Sequence, residues 1–230
     1  MADAPRTAAL AFKNDVASPI ANRIMAYMPD TLIFGTLIFS FLTMSYPLLI
    51  LLLFQFEALL VQRLSSSLFR NLFPTLTVPF SGDQCKEGYY TNPSDARTSI
   101  LNLFGITGGS FPSRPLFLLT AVLSYLMTSL MSFQTSIENL GEDYVTRSTI
   151  STIGSVLLVL TVFVLYWRNG CDTFLHGMTT IVFGVGLGVA GLFLHRSLFG
   201  DEAINLLGLP VIVNKLDKGT PLAICAPTMN

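Results

Sequence analysis

The chain has 230 residues, of which 51% are hydrophobic and only 12% are charged, with a mean hydropathy of +0.61. Soluble globular domains carry about 25% charged residues, so this composition excludes an ordinary soluble domain. The formal net charge of −1 gives no electrostatic basis for nucleic-acid binding. We therefore expect an integral membrane protein whose first partner is the lipid bilayer.

Four stretches without Asp, Glu, Lys or Arg are long enough to cross a bilayer, which takes about 20 helical residues. They contain 26, 23, 20 and 22 residues and cover 31–56, 115–137, 148–167 and 173–194. The sequence thus predicts an all-α membrane protein with four transmembrane helices, the second of them placed at 116–137. Four crossings put both termini on one side. Lysine and arginine then divide seven to six between the two sides, so the positive-inside rule selects no orientation.

The N-terminal segment, residues 1–30, contains a helix signal of its own. Ser18 followed by Pro19 is a typical helix start. The apolar residues after it recur at every fourth position, at Ile20, Ile24 and Met28. We interpret 19–28 as a short amphipathic helix at the membrane interface, ended by Pro29. An irregular tail is the alternative.

Residues 57–115 are predicted to lie outside the bilayer, and they begin with a second amphipathic helix from Ala58 to Phe73. Its leucines recur at every fourth position, at Leu60, Leu64, Leu68 and Leu72. Arg63 and Arg70 fall on the opposite face. This helix either lies on the bilayer or continues the first span out of it.

The second and third spans carry small and hydroxyl residues in stripes. In the second span the stripe includes Ser124, Thr128 and Ser132, and in the third it comprises Ser148, Ser151, Thr152, Gly154 and Ser155. Such residues let helix backbones approach closely and hydrogen-bond across the interface. Because only the hairpin 138–147 separates these spans, we expect them to pack closely against each other.

The fourth span contains the letters of the dinucleotide-binding fingerprint GxGxxG, from Gly186 to Gly191. That motif requires a preceding strand and the solvent-facing start of a helix, and here it lies inside an apolar span. The better interpretation is a helix-packing face of small residues, formed by Gly184, Gly188 and Gly191. No cofactor is predicted.

Candidate chemical groups are few. Cys171, Asp172 and His176 cluster at the start of the fourth span, but the spacing of a closed zinc site is absent, and we interpret them as a helix cap with an interfacial histidine. His195 stands alone at the other end of that span. The four windows contain no Asp, Glu, Lys or Arg that could serve an ion pathway or a proton relay, and both histidines lie near the membrane surface. We therefore predict no catalytic residue and no metal ligand, and a protein that is not an enzyme.

The three cysteines divide between the two sides of the predicted topology. Cys85 and Cys171 fall on the same side, and Cys225 falls on the other. A disulfide between Cys85 and Cys171 is possible, and free thiols are the alternative.

The C-terminal segment, 195–230, is polar and rich in turns. Residues 211–213 and 222–225 could pair as a small hairpin, with a loose tail as the alternative. The segment also holds more apolar residues than a solvated tail requires, namely Ile204, Leu206, Leu207, Leu209 and Val211. Exposed apolar surface of this kind marks contact sites, so we expect these residues to be buried against the protein's own loops or against a partner.

The tail contains the sequences LFGDEAINLLGLP at 198–210 and PLAICA at 221–226. They follow a hairpin at Glu138–Arg147 and a turn at Arg168–Asp172. The chain resembles multi-pass membrane proteins of large icosahedral double-stranded DNA viruses, over about residues 120–226. The resemblance implies a structural role in the inner virion membrane, in contact with minor capsid proteins, and brings no catalytic residues with it.

Two other classes remain open. One is an accessory subunit of a cellular membrane complex, and the other is an oligomeric pore of the holin kind. Either would also have other proteins of the same assembly, or further copies of this chain, as partners.

Overall fold

A computed structural model describes residues 18–72, 111–138 and 142–206. Within these ranges the chain forms helices and no strands. The helices are α1 (Ser18–Thr43), α2 (Tyr46–Leu72), α3 (Arg114–Ser132), α4 (Gln134–Glu138), α5 (Glu142–Arg168) and α6 (Phe174–Phe199). Four of them, α2, α3, α5 and α6, are long and apolar enough to cross a membrane. The predicted all-α fold with four spanning helices is confirmed; the predicted tail hairpin lies outside the described residues.

The predicted first span, 31–56, is not one helix. The chain turns at Met44 and Ser45, between α1 and α2, and Met44 has a φ of 51° with 87% of its surface exposed. Pro47 explains the break, because a proline ring clashes with the carbonyl group four residues earlier and has no N–H to donate. The two helices return along each other, and the Gln55 amide donates a hydrogen bond of 2.8 Å to the Thr36 hydroxyl.

Pro29 does not end a helix, contrary to the prediction. Helix α1 begins at Ser18, as the Ser-Pro signal indicated, and continues through Pro29 to Thr43. The segment 19–28 is therefore the first part of a longer helix. A proline is tolerated inside membrane helices because neighbouring groups can satisfy the backbone carbonyl that it leaves free.

The predicted amphipathic helix over 58–73 is the second half of α2, so it continues the first span. Its apolar and polar faces are turned the opposite way from those of a helix on the surface of a soluble protein. Leu60, Leu64 and Leu68 point outward, whereas Gln62 and Ser66 are buried in the bundle. The Gln62 amide donates to the carbonyl oxygen of Pro112 at 2.8 Å. Lipid accepts exposed leucine, so Gln62 and Ser66 turn inward to find partners, whereas Arg63 stays exposed.

Helices α3 and α6 run parallel, with α2 and α5 antiparallel to both. This order follows from contacts along α6: Gly177 lies near Leu116, and Gly188 near Ser124. The bundle has two ends. The Cys171 end contains residues 111–114 and 168–174, and the Met44 end contains residues 43–46, 132–138, 142 and 199–206.

Helix α1 also runs from the Cys171 end to the Met44 end. Met28, in its first half, packs against the apolar cluster that contains Leu116 and Cys171, and Thr43 lies beside the turn at Met44. The described chain therefore begins at one end of the bundle and finishes, at Leu206, at the other. Both chain termini lie outside the described residues, so their placement on one side of the membrane stays a prediction.

Helix α5 does not pack along α3 as expected. Its buried residues, Val162, Phe163 and Tyr166, contact Leu116 and Leu119 at the Cys171 end only. Towards the Met44 end the two helices are separated by cavities. Helix α3 instead lies along α6, whose glycines allow a closer approach than the serines of α5 do.

Candidate functional site: a buried polar cluster at the glycine face of α6

The glycines of α6 are the contact points of the bundle. A Cβ atom added at Gly184 would overlap the Thr120 hydroxyl, and one at Gly188 would overlap the carbonyl oxygen of Ala121. At Gly191 it would overlap the ring of Phe54, which belongs to α2. The structure thus places all three predicted packing glycines at helix–helix contacts, and their lack of a side chain is what allows these contacts.

The hydroxyl residues of α3 have different roles. Ser124 donates across the interface to the carbonyl oxygen of Val185 at 3.0 Å. Thr128 and Ser132 each donate at 2.8 Å to the carbonyl four residues earlier in their own helix. Of the three predicted packing residues on α3, only Ser124 forms a hydrogen bond between helices.

Beyond the glycine contacts, α6 places His195 between α2 and α3. The ring is fully buried. Its Nδ1 lies 3.2 Å from the hydroxyl oxygen of Tyr125, and its Nε2 lies 3.1 Å from a carboxylate oxygen of Glu57. These three side chains, here called the polar cluster, come from three helices and link them at one point.

Aromatic rings enclose the polar cluster. Phe54 stacks on Tyr125 with ring centroids 4.6 Å apart, and it meets the edge of His195 at 6.0 Å. Phe199 approaches His195 from the same helix at 5.8 Å. Such contacts restrict the histidine and tyrosine rings to the orientation that makes the hydrogen bonds, and they keep water from both.

One protonation state satisfies every group of the cluster. When the neutral His195 ring carries its proton on Nε2, it donates to the Glu57 carboxylate and accepts at Nδ1 from the Tyr125 hydroxyl. The Glu57 side chain is 42% exposed, whereas Tyr125 and His195 are buried. Glu57 is therefore the one group of the polar cluster that reaches the surface of the bundle.

This cluster was not predicted from the sequence, and Glu57 shows why. The charge-free window stopped at Phe56, which placed Glu57 outside the membrane. In the structure the first long apolar helix covers Tyr46–Phe69, and Glu57 lies near its middle. The apolar run Ala58–Val61 after Glu57 was the available signal. Nothing in the sequence pairs Glu57 with His195, 138 residues away.

The N-cap of α6 at the Cys171 end is Thr173, and not Asp172 as predicted. The Thr173 hydroxyl accepts the backbone N–H of His176 at 3.3 Å, and an Asp172 carboxylate oxygen accepts the N–H of Thr173 at 3.0 Å. Burial raises the pKa of Asp172, while His176, the Thr173 N–H and the Ser113 hydroxyl act in the opposite direction. No cluster of three His, Cys, Asp or Glu residues that could hold a metal ion occurs in the described ranges.

Cys171 is buried and forms a disulfide bond. The other cysteines of the chain, Cys85 and Cys225, both lie outside the described residues. Both chain segments that flank Cys85 join the bundle at the Cys171 end, since α2 finishes there and α3 begins there. That connection favours Cys85 as the partner, and the pairing stays a prediction.

The apolar residues predicted in the tail fold back in part. Ile204 is fully buried in the main apolar cluster, and its carbonyl oxygen accepts the Ser129 hydroxyl at 2.6 Å. Leu206 packs at the border of the same cluster. Ile204 is thus part of the bundle and is not open to a partner. Leu207, Leu209 and Val211 lie outside the described residues.

Comparison of this chain with protein-family models, with curated proteins and with solved structures finds no match.

Proposed function

We propose that this integral membrane protein is a structural anchor that holds an assembly on a bilayer through protein contacts. The observation that carries the proposal is the incomplete packing of α5. Only 11% of its apolar window is buried, against 39%, 61% and 33% for α2, α3 and α6. A helix that its own bundle covers so little has most of its surface free for a partner within the membrane.

The exposed side of α5 has the spacing of a helix-packing seam. Its large apolar side chains alternate at intervals of three and four residues, at Ile150, Ile153, Leu157, Leu160, Val164 and Trp167, and all are exposed. That interval is the one by which a helix keeps the same face towards a neighbouring helix over several turns. The seam is therefore suited to a membrane helix of another protein or of a second copy.

The polar cluster supports a structural role over a catalytic one. Its tyrosine and histidine are buried and bonded to each other, so no substrate can reach them without separating α2 from α6. The cluster stabilises the shape of the bundle. The resemblance of the tail to inner-membrane proteins of large icosahedral DNA viruses makes the virion membrane the specific assembly that we propose.

Photo-cross-linking in the native membrane tests this function. A photoreactive residue at Leu160, on the seam, should capture a protein of the assembly, and one at Leu194 of α6, which is similarly exposed, should capture lipid. Identification of capsid-associated proteins at Leu160 would support the virion assignment. Capture of lipid alone at both positions would contradict the anchor.

A further inference from the structure

Between α3 and α5, at the Met44 end, the bundle contains an open groove. Its larger cavity has a volume of about 450 Å³, and its walls include Leu126, Met127 and Leu130 on one side and Ser148, Ser151 and Ser155 on the other. This volume lies within the range of about 300–1,000 Å³ that is usual for small-molecule sites. The groove exists because α5 contacts α3 only at the Cys171 end.

The mouth of the groove carries a positive charge. Arg147 lines it together with Tyr144, and the guanidinium lies 5.8 Å from the centre of the Tyr144 ring. No carboxylate forms an ion pair with Arg147 within the part of the chain that the structure describes. Arg147 is also the last charged residue before the apolar stretch 148–167, a position that corresponds to the level of the lipid headgroups.

The polar wall of the groove has unused hydrogen-bonding capacity. Thr149 and Thr161, on the same helix, donate to carbonyl groups four residues earlier. The hydroxyl groups of Ser148, Ser151 and Ser155 make no such bond with any described residue. Hydroxyl groups at membrane depth are stabilised by a partner, and these three face the cavity below Arg147.

We propose that this groove binds one anionic phospholipid. The phosphate lies at Arg147 and the first serine hydroxyls, and an acyl chain extends along Leu126, Met127 and Leu130. The chemistry of the groove supports this occupant, because a cation at headgroup level lies above a cavity with hydroxyl groups on one wall and apolar side chains on the other. A transmembrane helix of another protein would match the apolar wall but would bring no charge to Arg147.

The test uses the full-length protein purified in detergent and supplied with equal amounts of phosphatidylglycerol and phosphatidylcholine. Native mass spectrometry then counts the lipids retained. We expect one lipid to be retained, with preference for phosphatidylglycerol. Arg147→Gln should reduce that preference about fivefold, the effect of about 1 kcal/mol for one basic residue near an anionic lipid surface. Arg168→Gln removes the same charge at the other end of α5 and should leave the preference unchanged.

A second pair of variants tests the cavity itself. Ser151→Phe fills the groove and should abolish retention of either lipid. Thr161→Phe makes the same kind of change on the same helix but lines neither cavity, so retention should persist. Equal losses in both variants, or in both arginine variants, would overturn the proposal.

Photo-cross-linking of the unaltered protein gives a result that does not depend on the folding of a variant. Phosphatidylglycerol with a photoreactive acyl chain should label the walls of the groove near Met127 and Leu130. Labelling elsewhere, or capture of a protein by a photoreactive residue at position 151, would show that the groove is not a lipid site.

Discussion

His195 and Glu57 approach to 3.1 Å although 138 residues separate them in the chain. This contact joins the end of α6 to the middle of α2, and Tyr125 extends it to α3. The buried His195 ring is bonded through both of its nitrogen atoms, one to each of the other two side chains. The cluster therefore specifies which helices meet and how they are aligned along their axes. Dispersion between apolar surfaces specifies both poorly.

Replacing His195 should destabilise the bundle. His195→Ala leaves the buried Tyr125 hydroxyl without its partner, at a cost of about 1–3 kcal/mol, and it adds a cavity between Phe54 and Phe199. Thermal unfolding in detergent should shift to a clearly lower temperature. His176→Ala, at the partly exposed histidine of the Cys171 end, is the control and should shift it much less. Equal shifts would mean that the polar cluster contributes nothing specific.

The glycines of α6 should differ sharply in their tolerance of a methyl group. Gly188→Ala would overlap the backbone oxygen of Ala121 and should cost about 1–3 kcal/mol. Gly186→Ala meets no atom within 4 Å, and it should be neutral or slightly stabilising because alanine is the better helix former. Melting curves of the two variants make the comparison. If Gly188→Ala melts like the parent, α3 and α6 do not lie as close as described.

The turn between α1 and α2 should be accessible from water. With Met44→Cys on a background without other free thiols, we expect labelling by a membrane-impermeant reagent from the same side as Glu202→Cys, because both residues lie at the Met44 end. Arg168→Cys should react only from the opposite side. A single helix over 31–56 would place residue 44 at the centre of the bilayer, out of reach of the reagent. Failure of Met44→Cys to react would therefore support that single helix and contradict the turn.

Cys171 should be disulfide-linked to Cys85. Peptide mapping without reduction should recover the 85–171 pair, and Cys85→Ser should release a free thiol at Cys171. Cys225→Ser is the matched control and should leave the bond intact. A persistent disulfide also places the Cys171 end in an oxidising compartment, which would give the orientation that the lysine and arginine count leaves open. Recovery of a 171–225 pair would contradict the assignment.

The stability of the Cys171 end should depend on pH through Asp172. Burial raises its pKa in the folded protein above the ordinary value of 3.8, so folding favours the protonated carboxyl group. The contribution of Asp172 is therefore most favourable below that ordinary value, and it is lost as the pH rises through the raised pKa. Asp172→Asn keeps an acceptor for the Thr173 N–H and removes the charge. The melting temperature of this variant should fall less with rising pH than that of the parent; identical pH profiles would argue against the shift.

Several features followed from the sequence because they depend only on local composition. An apolar stretch of about 20 residues must enter lipid wherever it lies in the chain, so α3, α5 and α6 were predictable. The break at Met44 also had a local signal in Pro47. Hydropathy alone overlooked it, because a helical hairpin and a straight helix can share the same apolar composition.

The remaining features arose only in the folded bundle. Pro47 lies in the first turn of α2 and Pro29 lies inside α1, a difference that the composition around each proline does not show. Helix α3 packs along α6 and not along α5, because the glycines of α6 let the two backbones approach more closely than the serines of α5 would. Glu57 and His195 each look isolated in the sequence. They form a pair because the turn at Met44 sets the position of α2 along the axis of α6. The apolar surroundings then favour a hydrogen bond between the two polar side chains.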